Sequence, residues 1–143
     1  MATPMTIKEV KFKRLMDKYK DRADIIPVPC PGLMEFIESG KLEGEEIEVY
    51  LNNRLKEYKD SNISSIVLGC THYPFITNAL INLFGDKVDI IDGGFGTATE
   101  LKRRLQEQDL LNDSKEKGRI EIINSSNKDE IINLSFELLG VKR

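Results

Sequence analysis

Between residues 45 and 58, Ile47, Leu51, Leu55 and Tyr58 recur three and four positions apart, with charged residues between them. That spacing predicts a helix with one buried face. A short apolar run over residues 63–68 has the length and flanks of a buried strand. Residues 75–84 return to helical spacing, with Phe75, Ile76, Ala79, Leu80 and Leu83 on one face and Gly85 placed to stop the helix. A second strand is predicted over 88–91, ending in Asp92-Gly93-Gly94. Nearer the start, Thr6 and Glu9 have capping-box spacing and predict a helix over 7–19, with Val10, Leu15 and Met16 among its apolar positions. Residues 24–29 read as a short strand, and Pro27 marks it as an edge or an early end. Cys30-Pro31-Gly32 turns the chain into a short helix over 33–38, closed by Ser39-Gly40. Further on come a helix over 97–108, a polar loop over 109–117, a strand over 119–123 and a last helix over 128–139.

Strands alternating with helices indicate an α/β fold with a mostly parallel sheet flanked by helices. The best boundary is Gly93-Gly94, which divides residues 1–93 from a C-terminal segment 94–143. Composition narrows the field. With 21 basic and 24 acidic residues interspersed along 143, the net charge of −3 gives no footprint for nucleic acid. No apolar run approaches the roughly 18 residues of a membrane span. The first twenty residues carry many charges and no signal-peptide core, so a cytoplasmic location is expected. Two cysteines 40 positions apart make no disulfide framework and are expected to be reduced thiols. With a single histidine and two cysteines, a structural zinc site is not expected, since the usual four-ligand set would need carboxylates to complete it.

The chemistry concentrates after the strand over 63–68, in Leu68-Gly69-Cys70-Thr71-His72-Tyr73-Pro74. In open parallel sheets, ligands bind past the carboxyl ends of strands. Cys70 stands there, ahead of the amino end of the next helix, where N–H groups and the helix dipole favour a thiolate. His72 is two residues away and can serve the proton transfer of that thiol. The plainer readings are a thiol packed as a small hydrophobe, a structural histidine and a Tyr73 that only packs. Cys30 also follows a strand, and two thiols flanking one cleft would suit two-base chemistry; Cys-Pro is equally an ordinary turn. Glu38, near the end of its short helix, could orient an imidazole or simply be a solvated charge. Thr3 and Thr6 could offer hydroxyls to an anion at a helix start, or only cap it. Asp92-Gly93-Gly94-Phe95-Gly96 lacks dinucleotide-fingerprint spacing and reads as a loop or hinge.

The motif Gly69-Cys70-Thr71-His72-Tyr73-Pro74 resembles the second active-site motif of the glutamate racemases, cofactor-independent enzymes that make D-glutamate for the bacterial cell wall. Ala2-Thr3-Pro4-Met5-Thr6 resembles that family's threonine pair, and Cys30-Pro31 with Phe36-Ile37-Glu38-Ser39-Gly40 its cysteine-proline and glutamate-glycine segment. Phe136-Glu137-Leu138-Leu139-Gly140 is similar to its C-terminus. The resemblance implies two cysteine bases, of which Cys70 is the second. His72 would assist it, Glu38 would be an active-site glutamate, and Thr71, Thr3 and Thr6 would contact substrate. Cys30 falls on a family cysteine that is not a base. The family's first half, with its aspartate-serine pair and its cysteine-asparagine-threonine motif, has no counterpart here. The expectation is therefore a C-terminal part: residues 1–93 as the second α/β domain, and 94–143 as the segment that returns to the absent first domain. Such a chain alone would be weakly active or inactive, and would pair with its missing half or with a second copy. The alternatives are another amino-acid racemase, such as an aspartate racemase, or a non-catalytic binding remnant. A cysteine hydrolase ranks low, because no oxyanion-hole motif is evident.

Overall fold

In the computed structural model, which describes residues 1–126 and 128–141, strand β1 (Ser65–Leu68) pairs in parallel with β2 (Asp89–Asp92), Leu68 standing opposite Asp92. On the other edge of β1, the Met1 amine donates to the Val67 carbonyl at 2.8 Å and the Gly69 N–H donates to the Met1 carbonyl at 2.8 Å. Ala2 then bonds outward: its N–H reaches the Val28 carbonyl at 3.1 Å, and the Cys30 N–H reaches the Ala2 carbonyl at 3.0 Å. A donor to position j−1 and an acceptor from j+1 is the parallel ladder pattern. Four parallel segments therefore lie in the order 28–30, 1–2, β1, β2.

The strand expected over 24–29 is shorter than its sequence suggested. Only Val28 to Cys30 are bonded, and Ile25 and Ile26 are exposed. The neighbouring segment offers just Met1 and Ala2 before a helix begins at Pro4, and Pro27 has no N–H to donate. The first helix also differs. Helix α1 (Pro4–Lys8) starts earlier than expected and is capped by Thr3, whose hydroxyl accepts from the Thr6 N–H at 3.2 Å. Thr6 lies inside α1, so the Thr6–Glu9 capping box does not form; Glu9 is extended (ψ 140°) and separates α1 from α2 (Val10–Tyr19). Proline at the first helical position needs no N–H partner there, which favours the earlier start.

One face of the sheet carries the core. Helices α3 (Leu33–Glu38), α4 (Glu45–Leu55) and α5 (Thr77–Phe84), with a 3₁₀ turn over Tyr73–Ile76, bring Leu33, Ile37, Ile47, Leu51, Leu55, Ile76 and Leu80 against Ile66 and Leu68. Burial of each such side chain contributes about 1.5–3 kcal/mol. Gly32 (φ 80°) and Gly85 (φ 69°) hold the left-handed conformations at the start of α3 and the end of α5. On the opposite face, Val67 is 57% exposed and its in-register neighbour Ile91 46%.

The chain divides into two compact units, Met1–Phe95 and Gly96 onward. Helix α6 (Gly94–Glu107) begins at the end of the first unit and continues into the second. Glu100 bonds to Arg103 and Arg104, and Arg103 also bonds to Glu107, all on exposed helix surface. The strand expected over 119–123 does not form. Ile120 and Ile123 are exposed, and no strand lies beside them among the described residues. A strand needs a neighbouring backbone, and local propensity cannot replace one. Helix α7 (Asp129–Leu138) opens with Asp129 and Glu130 in its first turn, favourable to the helix dipole. Asn127, Lys142 and Arg143, all in the 94–143 segment, lie outside the described residues.

Candidate active site

Thr3, Cys30 and Cys70 stand at or just past the carboxyl ends of three adjacent parallel segments, because Met1–Ala2 is hydrogen-bonded on both sides. Gly69 permits this closeness. A Cβ there would lie 3.2 Å from the Met1 carbonyl oxygen and 3.3 Å from the Ala2 Cβ.

After Gly69 the chain tightens. The Tyr73 N–H donates to the Cys70 carbonyl at 3.2 Å, and the Phe75 N–H to the His72 carbonyl at 3.2 Å. That turn faces three side chains toward one another. The Cys70 Sγ lies 4.0 Å from His72 Nδ1, and the Thr71 hydroxyl 3.5 Å from the same nitrogen. On the far side of the ring, His72 Nε2 lies 3.2 Å from Glu38 Oε1. With Nε2–H donating to the carboxylate, Nδ1 is left as an acceptor for the thiol proton. Thiol, imidazole and carboxylate thus form one line, built from the β1 end and the α3 end. Cys70 is half-buried, and the His72 and Glu38 side chains are 31% and 56% exposed, so the line lies open to a small molecule.

Cys30 is placed differently. It is 2% exposed, and its thiol donates to the Val28 carbonyl at 3.5 Å. Burial pushes this thiol up from its ordinary range, outweighing the chain amine and Arg54, which act the other way. A neutral buried thiol suits packing and not proton abstraction. The Thr3 and Thr6 hydroxyls lie 2.9 Å apart and bond to each other, Thr3 capping α1 as well. They join neither Cys70 nor His72 in a hydrogen bond.

Two tyrosines complete the arrangement. The Tyr73 hydroxyl donates to the Cys30 carbonyl at 3.2 Å, and the Tyr50 hydroxyl to the Pro31 carbonyl at 2.9 Å. Burial raises both phenols, Tyr50 to about 12, so both stay protonated donors. Sequence reasoning left Tyr73 as packing and did not single out Tyr50. Neither bond has a local signal, since each spans 19 residues or more. Among the described residues, no three His, Cys, Asp or Glu side chains are grouped to hold a metal ion, and no helix is long and apolar enough to cross a membrane. The concave surface between α4 and α5, lined by Leu51, Asn52, Ala79 and Leu83, contains none of the site residues.

A parallel sheet flanked by helices, with a thiol, an imidazole and a carboxylate at its carboxyl edge, defines a domain of the α/β class. More particularly, the chain is similar in sequence to glutamate racemases over about half of their length. It is 52% identical over 142 residues to the glutamate racemase of Clostridium perfringens, covering 99% of this chain and 55% of that protein. It is 53% identical over 139 residues to that of Clostridium botulinum, covering 97% and 54%. Among solved structures, a glutamate racemase from Francisella tularensis in complex with D-glutamate matches with a TM-score of 0.76 and 25% identity, over 98% of this chain and 52% of that one. The chain thus spans about half the length of the curated relatives it matches. No known protein-family profile matches it.

Proposed function

We propose that this chain supplies one face of a glutamate racemase site, with Cys70 as the base and acid on that face. The observation that carries the reading is the Cys70–His72–Glu38 line, 4.0 and 3.2 Å long in its two links, within a chain half identical to glutamate racemases. The Cys70 thiolate takes the Cα proton of one enantiomer. The electron pair left on Cα delocalises into the adjacent carboxylate, and the new thiol can return a proton to the same face. His72 holds or releases the proton of Cys70, and Glu38 orients His72. Thr71 contacts substrate, and Thr3 and Thr6 lie toward the substrate carboxylate. Inversion needs a second donor on the opposite face of Cα. Cys30, buried and neutral, does not provide it.

The second base would come from the part of the relatives' length that this chain does not span. The exposed Val67 and Ile91 support an incomplete assembly, because parallel sheets ordinarily bury both faces. Without that partner, the same face would favour self-association of the chain.

The test is to incubate the purified chain with D- or L-glutamate in deuterium oxide. Loss of the Cα proton by NMR and inversion by polarimetry are followed together. The expected result is slow exchange with retained configuration, abolished by Cys70→Ala. Robust inversion by the chain alone overturns the one-face reading, and exchange that survives Cys70→Ala overturns the assignment of the base.

A further inference from the structure

We infer that Tyr73 is a positioning residue that sets the distance between His72 and Glu38. Its ring is fully buried directly after the Cys70-Thr71-His72 turn, and its hydroxyl donates to the carbonyl of Cys30, 43 positions earlier. Cys30 opens the Cys30-Pro31-Gly32 turn from which α3 starts, and α3 ends on Glu38. One side chain therefore ties the loop that carries His72 to the root of the helix that carries Glu38. Helix α3 has only six residues, so a shift at its root passes to its end with little attenuation.

The second tyrosine reinforces the anchor point. The Tyr50 hydroxyl holds the next carbonyl, that of Pro31, from α4. The turn is thus pinned by two phenols from two elements, and Gly32 (φ 80°) lets the backbone leave it directly into α3. Tyr73 differs from Tyr50 in being covalently next to His72. Losing its hydroxyl would free the imidazole side of the pair. It would also leave the Cys30 carbonyl without this donor in a buried setting. His72 and Glu38 are each partly exposed, so their own attraction is too weak to hold the geometry unaided.

The inference rests on the reading of His72 as the imidazole serving Cys70, yet it can be tested without activity. His72 is the chain's one histidine, so a single set of imidazole ¹⁵N resonances reports the pair. The Nε2 shift is measured in the native chain and with Glu38→Gln, then in the same two states on a Tyr73→Phe background. Phenylalanine keeps the ring in the core and removes only the hydroxyl. The expected result is that the shift change caused by Glu38→Gln falls by half or more when Tyr73 is Phe. A Leu51→Ala background, destabilised through the core away from the site, should keep the full change. Tyr73→Phe retaining the full change overturns the positioning role, as does an equal loss on the Leu51→Ala background, which would assign the effect to general loosening. If Glu38→Gln leaves Nε2 unmoved in the native chain, the His72–Glu38 pair itself fails, and the reading of the site fails with it.

Discussion

His72 Nε2 and Glu38 Oε1 lie 3.2 Å apart across 34 positions of chain, joining the loop after β1 to the last residue of α3. The pair is half open to solvent, so its contribution to folding is small, about 0–1 kcal/mol. Its value is directional: a carboxylate on Nε2 turns Nδ1 toward Cys70. Glu38→Gln keeps an acceptor oxygen and removes the charge. We expect Cα exchange of glutamate to fall roughly tenfold or more, the scale of a weakened acid–base relay, while the urea midpoint barely moves. Equal losses in both would mean that Glu38 is structural.

The two thiols should differ sharply toward alkylation. Cys70 is half-buried beside an imidazole, and Cys30 is 2% exposed with its thiol pushed up by burial. The thiolate is the reacting form. Brief treatment of the native chain with iodoacetamide should modify Cys70 alone by mass spectrometry, with Cys30 following only in denaturant. Labelling of Cys30 first would show that the sheet edge opens readily.

Stability should decline in alkali. Cys30 is raised above 9.0, Tyr50 from 10.0 to about 12, and Tyr73 is raised as well, each chiefly by burial. Above pH 9 the unfolded chain releases these protons while the folded chain keeps them. The unfolded state then binds fewer protons, and stability falls as pH rises. The contribution is whole below about pH 9 and is lost upward through the folded values. Urea midpoints at pH 8, 9.5 and 11 should fall in that order, and Tyr73→Phe should flatten the slope between the last two.

Gly69→Ala should destabilise by about 1–3 kcal/mol, the usual cost of forcing atoms into a packed site, because the new methyl meets the backbone of Met1. Gly96→Ala in α6 meets nothing within 4 Å and should be neutral or mildly stabilising, as alanine is the better helix former. Chemical denaturation of both variants provides the comparison. A silent Gly69→Ala would mean that the 1–2 segment is not fixed against β1.

Much of the fold was legible because its signals are local. The 47, 51, 55 spacing fell on a helix whose three members are all buried, and the apolar run before Gly69 became β1. The reading failed where pairing decided the outcome. Residues 24–27 and 119–123 have strand-like composition, but among the described residues neither has a bonded neighbouring strand, and both expose isoleucines. Thr6 failed as a cap because Pro4 could start the helix one turn sooner.

By itself the sequence determined which groups would gather after β1, since Cys70, Thr71 and His72 are consecutive and a parallel strand must deliver them to its carboxyl end. It also carried the likeness to glutamate racemases, which is written in those residues and in segments along the rest of the chain. Only the tertiary structure decided that Glu38 reaches His72, that Cys30 is sealed in the core, and that Tyr50 and Tyr73 clamp one turn. Those contacts span from 19 to 43 positions, and no local spacing encodes them. They depend on how α3 and α4 pack against the sheet, which is settled by burial of the whole apolar face at once.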